Sequence, residues 1–327
     1  MTRLFQKKEF GIGLIVILLA LVLSIVNPVF LTAENLLDIL KANSVLGILA
    51  VGMTLIIITG GIDVSVAAVT AAVTVVIGKL AVAMQASSWS ILAIFIVAPL
   101  VGACFGFVNG ILVAKTKIPP IVTSLGTMSI LSGITLYVTN GEYMNSSMLP
   151  ASFIHFSNLK IAGVSILIII FLLTVLITWF VMKYLAIGRS ILSFGGNPVS
   201  AMRVGINLTK VQIFVYTYMG FLAGIAAIVQ TAYTKGVDPN GFAGFELTVI
   251  AAVVLGGANI LGGSGSMLGS FLGVLLLGIM QNGLILAKIN TFWQEIIVGA
   301  IILLAVSYDM IKRKREERNL SKVEVEG

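Results

Sequence analysis

The sequence predicts an all-α polytopic membrane protein with about ten transmembrane helices. Three observations carry that expectation: poverty of charge, long runs with no charged residue, and a lopsided distribution of the basic residues. Of 327 residues, 58% are hydrophobic and 10% charged, with a mean hydropathy of +1.11. A soluble domain needs about a quarter charged residues for its water-facing shell, so a soluble enzyme or binding module is excluded. Residues 42–62, 80–114, 118–141, 161–182, 211–234 and 247–287 contain no Asp, Glu, Lys or Arg. One helical crossing takes about 20 apolar residues. The last run therefore holds two crossings, parted at Gly262-Gly263-Ser264-Gly265-Ser266.

The spans are placed in order. The first, 10–31, follows MTRLFQKKEF; its apolar part is too long for a secretory signal and no small-x-small site closes it, so it is retained. Spans 42–60 and 64–85 meet at Gly60-Gly61-Ile62-Asp63. Span 91–114 carries Gly102, Gly106 and Gly110 at i, i+4 and i+8, a spacing that lets helix backbones approach closely in lipid. Its Cys104, the chain's one cysteine, reads as packing. Span 119–138 opens on Pro119-Pro120, and span 163–184 follows the polar segment 139–162, where His155 has neither a second His nor a Cys nearby to make a zinc site. Spans 210–233, 246–261, 267–287 and 291–311 complete the set, with Gly269 and Gly273 again at close-packing spacing. The glycine-rich break between the eighth and ninth also suits a re-entrant segment.

Cytoplasmic loops are enriched in Lys and Arg. With the N-terminus inside, the inner set is Arg3, Lys7, Lys8, Lys115, Lys117, Lys183, Arg189, Arg203, Lys210, Lys312, Arg313, Lys314, Arg315, Arg318 and Lys322, which is 15 of 20 basic residues. The opposite orientation inverts that ratio, so both termini are expected in the cytoplasm. The net charge of +7 is then a topology signal and not a nucleic-acid footprint, and the segment 312–327 is a basic cytoplasmic tail.

Residues 186–209 form the one long polar break, holding Arg189 and Arg203 between Lys183 and Lys210, with no acid. Asn197-Pro198 reads as a helix start, since Asn caps free amides and Pro fits the first helical position. Gly205 then stands where a C-terminal glycine ends that helix after about two turns. A short capped helix between two spans is suited to being gripped from the cytoplasm, which points to a transporter driven by something outside this chain.

Within the spans, Asp63 is a charge in an apolar setting, costing about 2.5–3.5 kcal/mol at a helix centre. Its place at a break lowers that cost, because free amides of the next helix solvate the carboxylate; it fits either a pathway residue or a cap. The remaining polar residues are neutral, among them Asn109, Thr123, Thr127 and Asn259. Together they suit a loosely held neutral polyol, although each alone fits an interhelical hydrogen bond. The break 60–63 and the turn 241–246 each place an acid after glycines at a helix start, so spans two to five and seven to ten would form an inverted pair. No G-x-x-x-x-G-K-[ST], H-E-x-x-H, CxxC or G-x-S-x-G occurs, which argues against ATP hydrolysis or other catalysis by this chain.

Four segments line up in order: Gly60-Gly61-Ile62-Asp63-Val64-Ser65-Val66; Ile118-Pro119-Pro120-Ile121-Val122-Thr123-Ser124-Leu125-Gly126-Thr127; Gly195-Gly196-Asn197-Pro198 through Arg203-Val204-Gly205-Ile206; and Ile250 to Gly257 through Gly262-Gly263-Ser264-Gly265. In this order the chain resembles the ribose-type permeases of bacterial ABC importers, the carbohydrate-uptake group that includes ribose, rhamnose, xylose and autoinducer-2 permeases. It departs where Ala67-Ala68 follows the first motif, since a glycine is usual there. The resemblance implies a type II ABC importer fold, with 1–311 as the permease domain and 186–209 as its coupling loop. It implies cytoplasmic ATPase subunits that carry ATP and magnesium, so that no cofactor belongs to this chain. It also implies a second permease copy or paralogue and a periplasmic or lipid-anchored sugar-binding protein, in the bacterial cytoplasmic membrane. Carried over residue by residue, Gly195, Gly196, Asn197, Pro198, Ala201, Arg203, Gly205 and Ile206 would couple to the ATPase. Asp63, Ser65, Asn109, Thr123, Thr127 and Asn259 are the candidates for the translocation pathway. The rival readings are an ion-coupled secondary sugar transporter and a passive channel.

Overall fold

The computed structural model describes residues 8–84, 87 and 89–290, with 292, 293, 296, 297, 299, 300, 303 and 307 described singly. The expected tenth span, 291–311, lies mostly outside the described residues, and the tail 312–327 entirely so.

Among the described residues, seven helices are long and apolar enough to cross a membrane: α1 (Lys8–Val26), α4 (Val66–Ala83), α5 (Ser90–Ala114), α6 (Pro120–Thr139), α8 (Ile166–Tyr184), α11 (Leu208–Thr234) and α13 (Met267–Leu286). A bent pair, α2 (Ala33–Ala42) and α3 (Ser44–Ile58), meets at 51° across Asn43 and makes an eighth crossing when counted as one span. The first span stops at Val26, not at residue 31, because Asn27 turns the chain: its side chain accepts from Val29 N at 3.0 Å and starts a short 3₁₀ turn at Pro28.

The expected eighth span is shorter than its hydropathy suggests. α12 (Phe245–Leu255) has 11 residues, which at 1.5 Å per residue is about 16 Å, half a hydrocarbon core. Apolar sequence continues to Leu261, but the helix ends at Gly256, and Gly257, Gly262 and Gly263 take left-handed φ of 86°, 94° and 83° that other residues resist. On its other side α12 is approached by a non-helical stretch. Val237 pairs with Met144 through two backbone hydrogen bonds of 2.9 and 3.0 Å. The segment 139–162 thereby joins the 234–245 loop; it contains α7 (Ala151–Ser157), which exposes His155, and β1 (Lys160–Ile161), which pairs just beyond it with β2 (Val164–Ser165) in a small hairpin.

The core is built round α3, every residue of which is buried. α11, α12, α8 and α13 pack against it. The closest seam is between α5 and α11. A methyl group on Gly102 would run into Gly220 O, one on Gly106 into Tyr216 O, and one on Gly220 into Gly102 O, while Gly110 faces Ile213. The paired numbers run in opposite directions, so the two helices are antiparallel and held backbone to backbone. Gly269 and Gly273 make the same kind of contact with Gly256 and Ala252 of α12. In both places the glycine spacing serves helix packing. The contacts also obey an exchange of α3 with α11, α4 with α12 and α5 with α13: α5 packs on α11 and α4, while α13 packs on α3 and α12. Apolar side chains of α1 and α6, such as Ile17, Leu21, Ile130 and Ile134, face outward as lipid-facing residues do.

Candidate functional site

Three groups of residues are placed by this architecture: a short helix at one end of the bundle, a glycine junction beneath it, and a polar chain beside a cavity.

α9 (Ala186–Gly196) and α10 (Pro198–Arg203) fill the polar break. Asn197 caps α10, its side-chain oxygen accepting from Ser200 N at 2.9 Å, and Pro198 takes the first helical position. Gly205 has φ 84°, with Gly205 N donating to Met202 O and Ile206 N to Ala201 O, both at 3.0 Å. That pair of bonds is the Schellman termination. Ala201 and Ile206 anchor α10 to the bundle, while Asn197, Pro198, Arg203 and Gly205 are exposed. Around Arg203 the helix presents Val199, Met202 and Val204, which are 55%, 55% and 76% exposed. Charge drew attention to Arg203 in the sequence; this apolar tip was not singled out, although three apolar residues in the polar break were its signal.

Beneath α10, three chain breaks meet with no side chain between them. Gly263 N donates to Ile58 O at 2.9 Å. A Cβ at Gly195 would collide with Ile58 O and stand 3.0 Å from Gly263 N, and a Cβ at Gly262 would stand 3.0 Å from Gly60 N. The end of α9, the end of α3 and the 256–266 loop are thus held in one junction. Gly196, by contrast, has open space where its Cβ would be. Asn259 belongs to this loop, whose turn it shapes by accepting from Leu261 N at 3.2 Å.

Four of the six pathway candidates are brought together beside the 59–65 break. Thr127 Oγ1 donates to Asn109 Oδ1 (2.6 Å), Asn109 Nδ2 to Ser65 Oγ (2.9 Å), and Ser65 Oγ to Asp63 Oδ1 (2.6 Å). Ser65 N also donates to Asp63 Oδ1 at 2.8 Å, so the carboxylate does cap the amides that open α4. Thr127 Oγ1 also lies 3.0 Å from Thr123 O, a second acceptor for its single proton, and from Asn109 onward the donors lead to Asp63, where the chain ends on an ionisable acceptor. Asp63, Ser65 and Asn109 are buried. Thr123, one turn before Thr127, has its hydroxyl buried without a partner. So has Tyr216, which approaches the same break: a Cβ at Gly61 would lie 2.9 Å from its oxygen. An unsatisfied buried hydroxyl costs about 1–3 kcal/mol. Asn259 shares no hydrogen bond with this group.

On the far side of the polar chain from α10 lies an open cavity of about 160 Å³. Ala67, Ala68 and Ala71 of α4, Met128 and Ser132 of α6, and the segment Pro239–Glu246 line it. Val237 packs against Gly78, while Phe242 and Gly244 reach the level of Ala67 to Ala71, so the chain descends along α4 before α12 begins. Sequence reasoning missed this lining, which comes from three separate segments.

Residues 35–306 match the family described as branched-chain amino acid transport system / permease component. The chain belongs to this permease family. It is 35% identical over 314 residues to the ribose import permease protein of Escherichia coli strain K12, covering 95% of this chain and 96% of that one. Against the ribose import permease protein of Bacillus subtilis strain 168 the identity is 34% over 307 residues, 94% of each chain. Against the D-allose transport system permease protein of Escherichia coli strain K12 it is 32% over 311 residues, 95% of this chain and 94% of that one. No solved structure matches the chain. As a permease component of the ABC sugar-importer type, this membrane-spanning chain is a transport subunit.

Proposed function

We propose that this permease carries a monosaccharide or similar neutral polyol into the bacterial cytoplasm, as one of two permease subunits driven by a cytoplasmic ATPase pair and fed by a sugar-binding protein at the opposite end. The observation that carries the proposal is α10: a helix capped at both ends, apolar at its tip, anchored by Ala201 and seated over a junction that reaches the 59–65 break. Relatives named for ribose, D-allose and autoinducer 2 support the cargo class. ATP and magnesium are bound by the ATPase, and both termini face the cytoplasm.

Closure of the ATPase pair moves α10 and α9. Gly195 then shifts against Ile58 O and Gly263 N, and the break follows because Ile58 ends α3 immediately before it. In this conformation the chain Thr127–Asn109–Ser65–Asp63 bars the route between the cavity and the α10 end. The unpartnered hydroxyls of Thr123 and Tyr216 mark groups that gain partners when the break moves. Asn259 serves the junction loop, and Asp63, Ser65, Asn109, Thr123 and Thr127 serve the barrier.

The test is copurification. Arg203→Glu and Met202→Asp are expected to abolish capture of the ATPase while leaving membrane insertion unchanged. Retained capture with both variants would remove α10 from the coupling role. Uptake that persists without ATP and collapses with an ionophore would favour an ion-coupled transporter.

A further inference from the structure

Glu246 stands out as an acidic residue, largely covered by the bundle, whose carboxylate no protein group pairs among the described residues. It lies in the first turn of α12, is 7% exposed, and has no hydrogen-bond or ion-pair partner among the described residues. Yet it lines the cavity between α4, α6 and the 239–246 segment. The carboxylate borders this open cavity, and acidic residues set among apolar spans of membrane proteins mark transport routes. Its neighbours there are the small residues Ala67, Ala68 and Ala71, which leave room, and Phe242, whose ring is buried.

We infer that this cavity is the transit site for cargo and that Glu246 is its hydrogen-bond acceptor, taking the paired hydroxyls of a neutral polyhydroxylated ring. The inference rests on the importer reading above. An ionised carboxylate only accepts, and its two oxygens suit two adjacent hydroxyl donors. Phe242 offers an apolar surface to the C–H face of the ring, and Ser132 and Asn240 at the rim supply groups that hydrogen-bond either way. The carboxylate excludes anionic cargo by repulsion. Among the described residues no group of three or more His, Cys, Asp or Glu forms a metal site, so a coordinated cation is a poor occupant. Loose holding also suits transit, because a site with one acceptor and a polar rim releases its cargo readily. The two broken spans meet here: α4 begins after the 59–65 break and α12 after the non-helical 237–244 stretch, so displacement of either break reshapes the walls.

The experiment uses the full importer, with its ATPase and binding protein, in a Cys104→Ala background bearing Ala71→Cys. Maleimide labelling of the introduced cysteine is followed with and without D-ribose or D-allose, and uptake of the same radiolabelled sugars is measured in parallel. One of the sugars is expected to slow labelling. Glu246→Gln is expected to abolish that protection and to lower uptake about tenfold, the loss expected for a charge-assisted hydrogen bond. Ala68→Phe, which fills the cavity, is expected to block uptake while binding-protein-stimulated ATP hydrolysis continues. Leu247→Ala, on the exposed side of α12, is expected to behave as the parent protein. Normal uptake by both Glu246→Gln and Ala68→Phe, or protection by L-leucine in place of the sugars, would overturn the site assignment. Sugar protection alongside uptake that ignores ATP would leave the site standing and overturn the importer reading.

Discussion

The α5–α11 seam and the Ile58–Gly195–Gly263 junction both bring bare backbone against bare backbone through glycine, yet they are built for opposite purposes. In the seam, Gly102, Gly106, Gly220 and Gly224 lie inside continuous helices, with Pro99 the one residue of α5 that has no N–H to donate. Nothing there can move without separating two long helices along their length. In the junction, each glycine stands in the last turn of a helix or in a loop, and one hydrogen bond, Gly263 N to Ile58 O, crosses between segments. Three stiff elements therefore meet at a point where each is free to pivot. Close packing transmits force in both places, but only the junction joins the ends of separate elements and not their middles.

The sharpest way to break this contrast is to enlarge one glycine in each region. Gly106→Leu should have the largest effect of all. Its side chain would be driven into the Tyr216 carbonyl and the backbone of Gly220, neither of which can rotate away. Overpacking costs about 1–3 kcal/mol where side chains can yield and more where backbone must. Loss of the monodisperse peak in detergent gel filtration is the expected outcome. A folded, transporting Gly106→Leu protein would show that the seam is not the rigid body described here.

Gly195→Val should be milder in stability and as severe in function. The added groups push the end of α9 away from Ile58 O and Gly263 N, while α3 stays buried on every face. The expected result is a protein that elutes as the parent does, still captures the ATPase and still hydrolyses ATP, but takes up sugar about tenfold more slowly or not at all. A coupling change of that size is within the 0.5–2 kcal/mol by which contacts along a connecting route alter communication between sites. Parent-like uptake would remove the junction from the route and return the coupling to some other contact of α9.

How much of this was legible in the sequence follows from the range of the interactions concerned. The caps of α10 were readable because Asn197, Pro198 and Gly205 act on amides and carbonyls a few residues away. The packing role of Gly102, Gly106 and Gly110 was readable because helical spacing puts them on one face, though the spacing did not say that α11 would be the partner. The length of span eight misled, because hydropathy ran on past Gly256 while the backbone turned there. Asp63, Ser65, Asn109 and Thr127 were visible as polar residues in apolar helices, but their joining into one directed chain depends on the apposition of α4, α5 and α6. The cavity was not readable at all. Its walls come from three segments far apart in the chain, and its one charge, Glu246, reads from sequence as an acid at a helix start.

The smallest effect should come from Asn197→Ala, and it separates anchoring from shape at the junction's upper end. The substitution removes the acceptor for Ser200 N and nothing else, since Asn197 is exposed and the Schellman bonds at the other end of α10 remain. An N-cap is worth about 1 kcal/mol, which is roughly a fivefold change in an equilibrium. Because α10 is short and touches the bundle chiefly through Ala201 and Ile206, that cost falls on the order of the knob and not on the fold. The thermal midpoint of the permease should stay within a degree or so of the parent's. Affinity for the ATPase should drop about fivefold, and Asn197→Ser, which keeps a cap acceptor, should restore most of it. A fall in thermal midpoint with unchanged ATPase affinity would reverse the assignment, making the α10 cap part of the bundle's support and leaving Gly195, not the knob, as the first point where the driving force enters.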